Sequence, residues 1–175
     1  MGNPILIASP EQADALMAKV RDAADQAQRW IKGHAGGPMD LLRMIKFESV
    51  GRHPIDGYPL NFIEQINQTW TFAVAIAAAR RLVTMHPEAG GMLLAPGAHA
   101  SQDLDIMSVN PGIVGAETFA AVRPSNNDKL AHDLRKLDAR NEQYRYVFFM
   151  SPGFPHTERR IDLEKHGVEV WSVRP

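Results

Sequence analysis

A chain of 175 residues with 45% hydrophobic content is long enough for one core, and a domain of this size buries about 70% of the surface its unfolded chain exposes. The formal net charge of -1 gives little drive toward nonspecific binding to nucleic acid, and the absence of cysteine excludes disulfides and thiolate metal sites. Residues 1–122 lean acidic and residues 123–175 lean basic, an asymmetry that a solvated mixed surface explains at least as well as a phosphate-binding face.

In chain order, the opening MGNPILIASPEQ has no basic stretch ahead of an apolar one, and Gly2 lacks the Ser or Thr that a myristoylation signal wants. With no cysteine in the chain, a cytoplasmic location is the expectation. Ser9 as cap, Pro10 at the first helical position and Gln12 reaching back predict a helix start. Ala13, Leu16, Met17, Val20, Ala24, Ala27 and Ile31 continue it as one apolar stripe, and Gly33 is placed to end it. Trp30 either covers this helix or contributes to a homodimer contact. Gly36, Gly37 and Pro38 form a turn, and Asp40 to Phe47 predict a short second helix with Leu41, Leu42 and Ile45 inward.

The two glycines and two prolines of Ser49 to Pro59 read as a loop. A long helix is expected from Asn61 to about His86, apolar around most of its circumference and therefore buried on more than one side, with Trp70, like Trp171, in the core. Its uncharged run from Gln65 to Ala79 is too short to span a bilayer, so no membrane partner is expected. Glu64 either completes a capping pair with Asn61 or joins a polar site with Asn67 and Gln68.

Met92 to Ala95 predicts a first strand, followed by Pro96, Gly97 and a polar loop from His99 to Gln102. Gln102 to Val122 (QDLDIMSVNPGIVGAETFAAV) reads as two strands flanking the turn of Asn110, Pro111 and Gly112. Alternation puts Asp103, Asp105 and Met107 on one side of the first strand and Glu117, Phe119 and Ala121 on one side of the second, so acids of adjacent strands converge. Asp103 and Asp105 have a plain structural reading as edge protection. Glu117 is harder to dismiss, because a carboxylate inside an apolar strand is costly unless it meets a cation or hydrogen bonds. Beyond the break at Arg123 to Ser125, Asn126 caps a helix with Leu130, Leu134 and Leu137 inward and Lys129, Asp133 and Lys136 on a neighbouring face. Tyr144 to Met150 predicts a strand, Ser151 to Pro155 a turn, Arg159 to Lys165 a short helix and Val168 to Val173 a last strand. The sequence has no glycine-rich phosphate loop, no nucleophile elbow and no pair of histidines at ligand spacing.

From about residue 60 the order is helix, three strands, helix, strand, helix, strand, with acids on the second and third strands. In that order and in those acids the chain resembles the PD-(D/E)XK, or restriction-endonuclease-like, nuclease superfamily. The resemblance implies an α/β fold with a restriction-endonuclease-like core (αβββαβ plus a further helix and strand) over residues 59–175, behind a helical N-terminal extension over residues 1–58, in one compact domain. It also implies a metal-dependent endonuclease acting on DNA phosphodiesters. Asp105 and Glu117 would hold Mg2+ or Mn2+, with Asp103 competing for the first of these roles and Glu64 as the assisting helix acid. Oxygen ligands of this kind suit a hard cation that keeps positions open for water and phosphate.

Two residues after the second acid, where that superfamily carries its lysine, this chain has Phe119. Either the cation has migrated to the following helix, which nominates Lys129, or catalysis is lost and the fold serves as a noncatalytic module for nucleic-acid or protein binding. Lys129 also has the plainer reading of an exposed pair with Asp133, four residues on.

Overall fold

The structure is a computed structural model that describes residues 3–97 and 102–175. The expected loop residues His99, Ala100 and Ser101, and Gly2, where no myristoylation signal is expected, lie outside the described residues.

The chain opens on a strand that periodicity does not reveal, β1 (Ile5–Ile7), before Ser9 starts α1 (Pro10–Gly33). The Ser9 side chain accepts from Gln12 N at 3.4 Å, and Gln12 Oε1 reaches back to accept from Ala8 N at 2.7 Å. Two otherwise orphaned donors are satisfied at the helix entrance. Ala13, Met17, Val20 and Ala23 form the buried stripe of α1, whereas Ile31 near its end is exposed. The second helix, α2 (Pro38–Phe47), buries no residue fully: Leu41 and Ile45 are half-buried and Leu42, expected inward, is exposed. The expected loop after it holds a small antiparallel ribbon, β2 (Gly51–Arg52) with β3 (Pro59–Leu60).

The central helix, α3 (Phe62–Met85), starts at Asn61, whose Oδ1 accepts from Glu64 N at 2.9 Å. Its burial is concentrated in the second half. Phe72, Ala73, Val74, Ala75, Ile76, Ala78, Ala79 and Leu82 are all buried, while Ile63, Ile66 and Trp70 in the first half are exposed. The expectation of a core position for Trp70 is therefore corrected: the ring lies on the outer side of the less covered half of the helix.

Four more strands complete the body of the sheet: β4 (Met92–Leu94), β5 (Ile106–Ser108), β6 (Val114–Ala120) and, after α4 (Lys129–Asp138), β7 (Tyr144–Met150). The predicted helix over Arg159 to Lys165 is replaced by the two-residue strand β8 (Glu158–Arg159) and a single 3-10 turn at Ile161–Leu163, ahead of β9 (Glu169–Ser172). The seven-stranded sheet has the order β1-β4-β5-β6-β7-β9-β8. Its first four strands alternate in direction, β6, β7 and β9 run parallel, and β8 closes the far edge antiparallel.

Helices cover both faces. Val114, Ala116, Ile106, Tyr146 and Phe148 point into the core built with α1 and α3, and the alternate positions Phe119, Val147, Phe149 and Val170 pack with Leu134 and Leu137 of α4. The mixed α/β class is as expected. Within residues 1–58, β1 pairs with β4, and Ala13, Met17 and Val20 share the core of α3 and the sheet. No helix among the described residues is long and apolar enough to cross a membrane.

One buried amide ties the N-terminal region to this body. Gln65 Nε2 donates to Ala23 O at 2.9 Å, and Gln65 Oε1 accepts from Arg52 N at 3.0 Å, joining α1, the ribbon and α3. Gln65→Leu strands the Arg52 amide and is expected to cost about 1–3 kcal/mol, read as a lower urea midpoint at unchanged slope.

Candidate active site

The β5–β6 ladder pairs Met107 with Gly115 and Ile106 with Ala116. Continued by one residue, the same register sets Asp105 across from Glu117. Both side chains belong to the α4 face, since Met107 and Phe119, two positions along each strand, pack in the α4 cluster.

Asp105 is oriented by its neighbour strand. Its Oδ2 accepts from Thr118 N at 2.8 Å and from Thr118 Oγ1 at 2.9 Å, and Oδ1 accepts no hydrogen bond among the described residues. Glu117 is only 3% exposed, and its Oε1 accepts from Lys136 Nζ at 2.6 Å. Burial pushes the Glu117 carboxyl up to about 6 and the nearby Asp105 charge adds to this, with Lys136 pulling the other way. Two carboxylates and an ammonium thus meet over one strand.

A second pair stands beside the first. Lys129 Nζ donates to Asp133 Oδ1 at 2.5 Å, and Asp133 is fully buried, with Oδ2 lacking any partner among the described residues. Burial raises the Asp133 carboxyl above its ordinary range, Lys129 opposes this, and Asp105 contributes to the rise. The Lys129 ammonium lies 5.8 Å from the centroid of the Phe119 ring. Phe119 itself is buried and stacks on Phe149 with centroids 5.8 Å apart.

The other two expected acids go elsewhere. Asp103 is exposed and accepts from Arg140 Nη1 at 2.9 Å, in a cluster that Arg140 shares with the buried Glu142. Glu64 is exposed on the first turn of α3, the helix on the opposite face of the sheet from Asp105 and Glu117. Its backbone N donates to Asn61 Oδ1, and its side chain makes no hydrogen bond among the described residues. Spacing puts Lys129, Asp133 and Lys136 on one helical face but does not bring Lys136 to Glu117, a contact that only the position of the helix on the sheet creates.

Among the described residues, no group of three or more histidine and acidic side chains is gathered as a ready cation cage. Two carboxylates remain a sufficient protein contribution for a hard cation that retains water and takes substrate oxygens. No protein-family model, no curated protein and no solved structure matches the chain.

The Glu117 shift has a defined sign. A carboxyl raised from 4.5 to about 6 binds its proton more tightly in the folded state, so stability is greatest below the unfolded value and falls as pH rises through that window. The expected loss is about 2 kcal/mol between about pH 4.5 and pH 7, and Glu117→Gln removes that part of the slope; paired urea titrations of both proteins measure it.

Proposed function

We propose that this domain hydrolyses DNA phosphodiesters in a magnesium- or manganese-dependent reaction, with Asp105 and Glu117 as the cation-holding carboxylates and Lys136 in place of the strand lysine. The observation that carries this reading is the opposition of Asp105 and Glu117 across two strands, with an ammonium 2.6 Å from the second. The donor set fits the cation: it is all oxygen, and Asp105 Oδ1 and Glu117 Oε2 accept no hydrogen bond from the described residues. A bound divalent ion would supply polarisation of the scissile phosphate and a lowered pKa for the attacking water.

The chain's own side chains divide the remaining work. Thr118 fixes the orientation of Asp105 through two hydrogen bonds to one oxygen, so the other is presented without reorganisation. Lys136, partly exposed at its end of the pair, offers a positive charge to a phosphate oxygen close to Glu117. Lys129, which spacing nominates for this role, has its ammonium bonded to a fully buried carboxylate, so its contribution is to keep Asp133 from standing uncompensated. Glu64 and Asp103 have no part in this arrangement.

The stacking of buried Phe119 on Phe149 favours the rival reading, a noncatalytic nuclease-like module in which the emptied lysine position has become core. Calorimetric titration of Mg2+ and Mn2+ into the wild-type protein and Glu117→Gln, with plasmid and single-stranded DNA cleavage in the same buffers, separates the two. The expected result is metal binding that disappears in the variant and cleavage that requires metal. Lys136→Ala is expected to keep metal binding and lower cleavage by about 10²- to 10³-fold. Lys129→Ala is expected instead to lower stability by about 1–3 kcal/mol through the stranded Asp133 oxygen. A wild-type protein that neither binds metal nor cleaves DNA overturns the catalytic reading in favour of the module.

A further inference from the structure

On the other face of the sheet, beside α3, a cavity of about 390 Å³ is lined by Arg80, Arg81, Arg174, Thr84 and Thr157, with no acidic residue in its wall. That volume lies within the range of roughly 300–1,000 Å³ usual for small-molecule sites. The three arginines are not equivalent. Arg80 is held by Asp14, Nε to Oδ1 at 2.8 Å, whereas the guanidinium groups of Arg81 and Arg174 have no carboxylate partner among the described residues.

Arg81 carries the stronger signal. Its Cζ stands 3.7 Å from the centroid of the Trp171 ring, so one face of the guanidinium is covered, and its Nε is buried with no hydrogen-bond partner among the described residues. The ring beneath is itself anchored, since Trp171 belongs to the β7–β9 ladder opposite Phe148 and its Nε1 donates to Glu169 Oε2 at 3.1 Å. Stacking covers one face and leaves the in-plane N–H donors to make the polar contacts of the group. The buried Nε makes no hydrogen bond among the described residues, whereas the terminal nitrogens are not buried and are free to meet an acceptor in the cavity.

The neighbouring hydroxyls add direction. Thr84 Oγ1 donates to Arg80 O at 3.2 Å, whereas Thr157 Oγ1 accepts from Arg174 N at 2.9 Å and keeps its own proton to donate. The Thr157 contact also ties the segment before β8 to the end of the chain, which sets the two walls of the cavity against each other.

We propose that this cavity binds the phosphate group of a small phosphorylated molecule, with Arg81, Arg174 and Thr157 as its donors. Two uncompensated guanidinium groups call for more than one negative charge, and a phosphomonoester brings about 1.5 to 2 charges with three acceptor oxygens, where a carboxylate brings one charge and two. A small molecule is favoured over a nucleic-acid backbone because the chain has a net charge of -1 and Arg80, beside the cavity, is neutralised by Asp14. The site lies across the sheet from Asp105 and Glu117 and does not depend on the activity proposed for them.

The test is isothermal titration calorimetry of the full chain, in EDTA, with inorganic phosphate, pyrophosphate, AMP and a single-stranded oligonucleotide. Pyrophosphate and AMP are expected to bind, with affinity weakened at least about tenfold in Arg81→Gln and in Arg174→Gln and unchanged in Lys46→Gln, a remote exposed position. Arg174→Gln keeps the test valid if Arg81→Gln disturbs the Trp171 packing, since the Arg174 side chain makes no hydrogen bond among the described residues. Failure of every phosphate ligand to bind, or equal affinity in both arginine variants and the wild type, overturns the proposal. Arginine-dependent binding of the oligonucleotide alone overturns the small-molecule assignment and points to a backbone phosphate instead.

Discussion

The antiparallel register of β5 on β6 determines which side chains can meet at the site, and it is held from several sides. Gly115 faces Met107 where a Cβ would stand 2.6 Å from Leu104 Cδ1, so a larger residue could not pass through this position without moving its neighbour. At the turn, Ser108 Oγ donates to Asn110 O at 2.6 Å and accepts from Val114 N at 3.0 Å, closing the hairpin around a left-handed Gly112. Asn110 Nδ2 donates to Glu88 O at 2.7 Å, which fastens the turn to the 3-10 turn that follows α3. A slip of one residue would turn Asp105 to the α3 face and break its two bonds to Thr118. The same constraint that builds the hairpin therefore aligns the carboxylates.

Around that fixed pair, positive charge arrives from a helix rather than from the strand. Crossing from β6 to its parallel neighbour β7 requires a connection that returns over the sheet, and α4 is that connection. Lys129 and Lys136 leave it two turns apart, so they reach different points along β6: one ends on Asp133 above Phe119, the other on Glu117. Helix periodicity, rather than the two-residue step of a strand, sets the spacing of the cations.

The long elements are legible in the sequence because their signals are local. The Ser9 cap with Gln12, the Asn61 start of α3 and the aromatic run from Tyr144 to Met150 all sit where the sequence predicts them. The opposition of Asp105 and Glu117 follows from alternation and one turn. Among the short strands, β4 and β5 are marked by an apolar run and a turn signal, whereas β1, β2, β3 and β8 owe their conformation to the strand beside them and are too short to carry a period. The helix expected over Arg159 to Lys165 does not form, because Glu158 and Arg159 pair with β9 and the ion pair of Arg159 with Glu164 draws the segment into the sheet edge. The choice of Lys136 over Lys129 needs three dimensions, because both lysines share a helical face and only the position of α4 on the sheet decides which carboxylate each can reach.

Stability alone does not account for the charges on the α4 face. Buried ion pairs are often replaceable by apolar residues of similar volume at no cost, because desolvation consumes most of the attraction between the partners. Here Glu117 and Asp133 stand among Phe119, Val147, Phe149, Leu134 and Leu137, where such a replacement would extend an existing cluster. Instead the fold places Asp105 close enough to raise the proton affinity of both. Like charges gathered in this way are unfavourable in the isolated domain and become favourable when a cation joins them, whether an ammonium or a metal ion. That asymmetry is the physical ground for treating the cluster as a site rather than as packing. On the opposite face Arg81 is a cation stacked on Trp171 and without a carboxylate partner among the described residues, its Nε buried and unbonded.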